Sequence, residues 1–90
     1  MKISKIKKEK ISEQVLALLY SFFPRSYFTS QIAFEIARDE EFMKELLIEL
    51  KNKKLIIEIK KNSKGIPYKR RSRWTLNDNT YQKYKQLSYN

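Results

Sequence analysis

Residues 29–56, TSQIAFEIARDEEFMKELLIELKNKKLI, decide the fold. Ile32, Ala33 and Ile36 share one face of a helix, and so do Met43, Leu46, Leu47 and Leu50, but the two sets are out of phase. At Arg38 to Glu41 the apolar period fails for a full turn. A phase break without Gly or Pro marks a corner between two helices, with one long bent helix as the alternative. Thr29 and Ser30 are candidate caps for the earlier helix and Asp39 for the later one. Glu40 and Glu41 then fall in a first turn, where the helix dipole favours acids.

Upstream, Ile11, Val15, Leu18, Leu19 and Phe22 recur at helical spacing, predicting a helix from near residue 5 that stops before Pro24. Residues 25–28 make a short extended connection. Downstream, the β-branched run LIIEIK from Leu55 alternates, with Leu55, Ile57 and Ile59 expected on the inner side. The following KNSKGIPYK contains the only glycine, Gly65, and one of the two prolines, so the chain turns there. A second strand near residues 68–76 places Trp74 and Leu76 inward and Arg71 and Arg73 off that side, completing a two-stranded hairpin over roughly 55–76. Asn79 with Gln82 resembles a capping box and predicts a last helix over about 79–88 bearing Tyr81, Tyr84 and Leu87.

The 90 residues show no repeat and no low-complexity linker, and with 41% of them apolar they make one domain spanning 1–90. The sequence has no Cys and no His, which removes disulfides, thiolate metal sites, the commonest metal ligand and the usual neutral-pH base. It has no glycine-rich phosphate loop and no Ser–His pair, and the neighbours Glu40 and Glu41 do not face one another on a helix. No enzyme, no cofactor and no metal are expected. The start MKISKIKKEK followed by VLALLYSFF is superficially like a secretory leader, but Glu13 and Gln14 interrupt it and Ser26-Tyr27-Phe28 offers no small-residue cleavage pattern. No stretch approaches the ~20 apolar residues of a membrane span. A cytoplasmic protein without a membrane partner is expected.

The net charge is +10, and it is zoned. Lys2, Lys5, Lys7, Lys8 and Lys10 open the chain against Glu9 alone. Residues 35–49 are net acidic, and residues 51–54 add three lysines. Between Leu55 and Thr75 the hairpin carries Lys60, Lys61, Lys64, Lys69, Arg70, Arg71 and Arg73, with Glu58 its one acid. Lysines on a hairpin can simply discourage edge-to-edge pairing, but seven cations on one element exceed that need and form the electrostatic footprint of nucleic-acid binding.

The order helix, extended piece, helix, corner, helix, hairpin, helix resembles the winged helix-turn-helix DNA-binding domains of small prokaryotic or archaeal-type transcriptional regulators. Ile32-Ala33, then Leu47-x-x-Leu50, then Lys53-Lys54-Leu55-Ile56 follow at that family's spacing. The resemblance implies an α+β, mostly helical fold with a three-helix core, a two-stranded wing and a C-terminal helix. It also implies double-stranded DNA as partner and a homodimer formed through the first and last helices.

The sequence departs from the family pattern in two respects. Lys54 stands where the family often has the glycine that ends the third helix. The face that enters the major groove in DNA-binding members corresponds here to Asp39, Glu40, Glu41, Phe42, Lys44, Glu45, Ile48 and Glu49, five acids with one lysine. Carboxylates near the phosphate backbone oppose binding. The expected DNA contacts are therefore the wing cations, helped by Lys5 and Lys8 of the first helix, with Arg38 and Lys44 as the other candidates. For Lys44 the simpler reading is an i, i+4 pair with Glu40. Two competing readings are a protein-interaction module using Phe42, Glu45, Ile48 and Glu49, and RNA binding through the same wing. The first has its own simpler alternative, a helix phase that puts Phe42 in the core.

Overall fold

The computed structural model describes residues 4–61, 64–66 and 72–88. Ser4 caps helix α1 (Lys5–Phe22), its hydroxyl accepting the Lys7 N–H at 3.2 Å. The α1 inner face is Ile11, Val15, Leu16 and Leu19, with Leu18 half-buried beside them. Phe22 shares that face but lies past the end of the core, where its ring meets Tyr27 at 4.5 Å and stays partly exposed. The extended connection contains a two-residue strand, β1 (Tyr27–Phe28), and runs directly into α2 (Thr29–Ile36).

Thr29 and Ser30 do not cap α2. The Gln31 side chain does so by accepting the Phe28 N–H at 2.9 Å, and the Thr29 hydroxyl is occupied by the indole N–H of Trp74 at 2.8 Å. Ala37 closes α2 in the left-handed region (φ 58°, ψ 48°), letting the Arg38 N–H reach Ala33 O at 2.9 Å. The corner is therefore real, and α3 (Glu40–Asn52) starts afresh from Asp39, whose carboxylate accepts the Phe42 N–H at 2.9 Å. Met43, Leu46, Leu47 and Leu50 are all buried, as their spacing requires.

Helix α3 ends in the same way, with Lys54 at φ 63° and the Leu55 N–H bonded to Leu50 O at 3.1 Å. A β-carbon makes that conformation costly, and glycine relieves it while adding freedom to the unfolded chain. Lys54→Gly is expected to stabilise the domain by about 0.5–1 kcal/mol, read as a rise of a few degrees in the thermal midpoint.

The sheet has three antiparallel strands in the order β1-β3-β2, with β2 (Ile56–Ile59) and β3 (Arg73–Leu76) forming the base of the wing. A two-stranded wing is thus completed by β1, which pairs Tyr27 with Trp74 and Phe28 with Arg73. Ile56 lies opposite Leu76 and Glu58 opposite Trp74, and Ile56, Trp74 and Leu76 are buried. The inner face is therefore shifted by one residue from the expected Leu55, Ile57 and Ile59, and Ile57 is 45% exposed. Two causes combine. Leu55 still belongs to the turn that closes α3, so alternation starts at Ile56. The run Leu55-Ile56-Ile57 reads as apolar in either register, and Glu58 turns inward because it finds partners there.

The cap of α4 (Asp78–Ser88) is Asn77, not Asn79: its side-chain oxygen accepts the Asn79 N–H at 2.8 Å and its carbonyl the Tyr81 N–H at 2.9 Å. Tyr81 stacks on Phe23 at 4.0 Å and on Tyr20 at 5.3 Å, while Tyr84 reaches Tyr20 at 5.8 Å. These aromatics fasten α4 to α1 of the same chain and leave Leu87 exposed. No helix among the described residues is long and apolar enough to cross a membrane.

Candidate nucleic-acid interface

The cations of the wing divide into three groups. Lys60, Lys61 and Lys64 are exposed on the hairpin. Lys69, Arg70 and Arg71 lie outside the described residues. Arg73, at the wing base, is not a free cation: its guanidinium sits 4.7 Å over the Phe28 ring, and its buried Nε has no hydrogen-bond partner. The side chain packs the outer face of the sheet, so its charge is held at the root of the wing.

Of the other expected contacts, Lys5, Arg38 and Lys44 are exposed. Among the described residues Lys44 forms no ion pair, so the expected bridge to Glu40 is not made. Lys8 instead bonds Glu49 at 2.6 Å, tying α1 to the outer side of α3. Both side chains are two-fifths or more exposed, and pairs of that kind contribute little to stability. The pair does occupy one proposed DNA contact and one proposed protein contact with each other.

The outer side of α3 offers Glu41, Lys44, Glu45 and Ile48 to solvent. Phe42 does not join them: it is half-buried against the core, which removes the aromatic anchor from the proposed protein-binding stripe. An open hollow of about 300 Å³ beside α2 is lined by Tyr27, Ser30, Gln31, Phe34 and Glu35. It contains a carboxylate and no cation, the wrong lining for a phosphate.

Glu58 is the residue whose role the sequence did not disclose, although its isolation among the wing cations was a signal. Its side chain is only 13% exposed. It accepts the Lys51 ammonium at 2.8 Å and the Ser72 hydroxyl at 2.5 Å, with Lys60 at 3.8 Å. Lys51 at the end of α3 is thereby joined to both legs of the wing, and exposed Lys53 and Lys54 follow it. Burial by itself would raise the Glu58 pKa. The hydrogen bonds from Lys51 and Ser72, with the charges of Lys51 and Lys60, outweigh burial and hold it below the ordinary carboxylate value of 4.5.

A carboxyl whose folded-state pKa is depressed stabilises the fold above its unfolded-state value and loses that contribution as pH falls through the folded one. Glu58→Gln is therefore expected to narrow the loss of thermal stability between about pH 5 and pH 3 relative to the unsubstituted chain, as followed by circular dichroism. Equal acid sensitivity of the two proteins would show that Glu58 is not a source of that loss.

These elements define a winged helix-turn-helix domain: α2 and α3 around a tight corner, α1 behind them, and a hairpin wing on a small sheet. Solved structures of this shape include Staphylococcus aureus MepR in its DNA-binding conformation, at TM-score 0.70 and 20% identity over 88% of this chain and 55% of that one. A mutant of Lactococcus lactis ZitR in the apo form gives TM-score 0.70 and 17% identity over 92% and 58%. The PcaV transcriptional regulator of Streptomyces coelicolor, in complex with its natural ligand, gives 0.64 and 18% over 87% and 51%. The chain thus spans about half the length of the structures it matches, and at these identities the likeness establishes the fold. No family model matches the sequence, and no curated protein matches it.

Proposed function

We propose that this chain is a DNA-binding transcriptional regulator, not an enzyme, that docks on duplex DNA chiefly through its basic wing. The observation that carries the reading is the opposition of charge within one winged-helix scaffold. The hairpin has one acid among its seven cations, and that acid is turned inward onto Lys51 and Ser72. The outer side of α3, by contrast, presents Glu41 and Glu45. Phosphate attraction dominates protein–DNA affinity, so the favourable approach brings the wing to the backbone and leaves α3 tilted from the groove. Lys60, Lys61, Lys64, Lys69, Arg70 and Arg71 are the proposed phosphate contacts, with Lys51, Lys53 and Lys54 at the end of α3 and Lys5 of α1 as further contacts.

MepR, described as a transcription regulator of a multidrug efflux pump and solved in a DNA-binding conformation, supports the assignment by analogy of fold. A homodimer and a cytoplasmic setting belong to the same proposal. Ile6 and Leu87 are the most exposed large apolar side chains that α1 and α4 offer to such a dimer among the described residues.

The test is a fluorescence-anisotropy titration of random-sequence duplex DNA at a series of salt concentrations. Binding is expected at low salt, with the logarithm of the association constant falling linearly against log salt by about 0.9 per phosphate contact. A folded protein that leaves the duplex unbound at low salt would overturn the proposal.

A further inference from the structure

We propose that Glu58 is a positioning residue for DNA docking, gathering Lys51 from the end of α3 and Lys60 from the root of the wing onto one stretch of phosphate backbone. This role rests on the wing-docking reading given above.

The geometry has three parts. Glu58 lies on β2, Ser72 on the returning leg of the hairpin and Lys51 in the last turn of α3, and one carboxylate bonds the latter two at 2.5 and 2.8 Å. The carboxylate thus ties the end of α3 to both legs of the wing. Lys60 stands 3.8 Å from the same carboxylate. An ammonium has three donors, and a single acceptor leaves the others for a second anion. Lys51 and Lys60 remain 42% and 69% exposed, so phosphate can reach both while Glu58 holds them from behind. Lysine side chains carry large rotamer entropy, and cations already held in place lose less of it on binding.

The opposite role is equally concrete and makes the opposite forecast. A carboxylate near DNA repels phosphate, so if Glu58 only opposes binding, its removal must tighten the complex. Glu58→Gln keeps the shape and an oxygen for Ser72 while raising the net charge by one. Duplex titrations of this variant are expected to show affinity reduced about three- to tenfold, with a salt slope no steeper than that of the unsubstituted chain. In a Lys51→Gln background the same substitution is expected to lose most of its effect, a coupling that general loosening of the fold would not produce.

Glu58→Asp retains the charge but withdraws it by one methylene. It is expected to weaken binding as well, and it serves where the glutamine variant is poorly folded by circular dichroism. Tighter binding and a steeper salt slope for Glu58→Gln, or unchanged binding for a folded Glu58→Asp, would overturn the positioning role and leave wing docking intact. Failure of the unsubstituted chain to bind duplex DNA would overturn both.

Discussion

Replacing Lys69, Arg70 and Arg71 with alanine is expected to weaken duplex binding on the order of a hundredfold or more near 0.1 M salt, across all sequences. If each side chain neutralises one phosphate, the log–log salt slope becomes shallower by up to about 2.7, at about 0.9 per contact. At 0.1 M salt that slope change corresponds to about 2.7 decades of association constant, an upper bound since some contacts are partial. The loss is expected to be independent of sequence because phosphate contacts position a protein without reading bases. Arg73 is left in place for a reason visible in the fold: its guanidinium packs on Phe28 at 4.7 Å, so its removal would confound lost charge with a disturbed sheet. Parallel titrations of both proteins, with circular dichroism to confirm folding, check the expectation. An unchanged salt slope in the variant would move the phosphate contacts away from these three residues.

Trp74→Ala is expected to cost about 3–5 kcal/mol of stability and lower the thermal midpoint by on the order of 20 °C. Trp74 is 1% exposed and the central strand β3 holds it beneath the wing. Its indole N–H donates to Thr29 at 2.8 Å, so one side chain fills the core and ties the sheet to the start of α2. A domain of this size has roughly 5–14 kcal/mol in total, and at the low end of that range the loss brings a large part of the population to the unfolded state. Trp74→Phe, which keeps an aromatic ring but loses the donor and some volume, is expected to fall between the two at about 1–3 kcal/mol. Denaturant unfolding followed by circular dichroism measures both. A loss below about 1 kcal/mol for the alanine variant would contradict the central place of Trp74 in the core.

The helical part of the fold was legible because its information is local. Met43, Leu46, Leu47 and Leu50 repeat on one face, Asp39 stands where a cap belongs, and each is placed as the spacing requires. The strands were less legible. Strand β1 has two residues, and it exists because Tyr27 and Phe28 pair with Trp74 and Arg73, more than forty residues away. The inner face of β2 differs for another reason: Leu55, Ile56 and Ile57 satisfy either alternation, and the turn that keeps Leu55 out of the strand and the partners of Glu58 together decide between them.

The same non-locality limited the site. Charge zoning marked the wing, yet no pattern in the sequence shows Lys8 engaged with Glu49, or Arg73 stacked on Phe28. Phe42 was ambiguous by one helical position, and the core claims it. Ser72, Glu58 and Lys51 become one cluster only when α3, β2 and the returning leg of the wing are brought together.

The most direct measurement is a residue-by-residue map of backbone amide shifts as duplex DNA is added to the isotopically labelled protein. Wing docking requires the perturbations to concentrate at residues 51–54 and 58–73, with Glu41, Lys44, Glu45 and Ile48 on the outer side of α3 little changed. Perturbations centred on those four residues, with the wing unmoved, would contradict it.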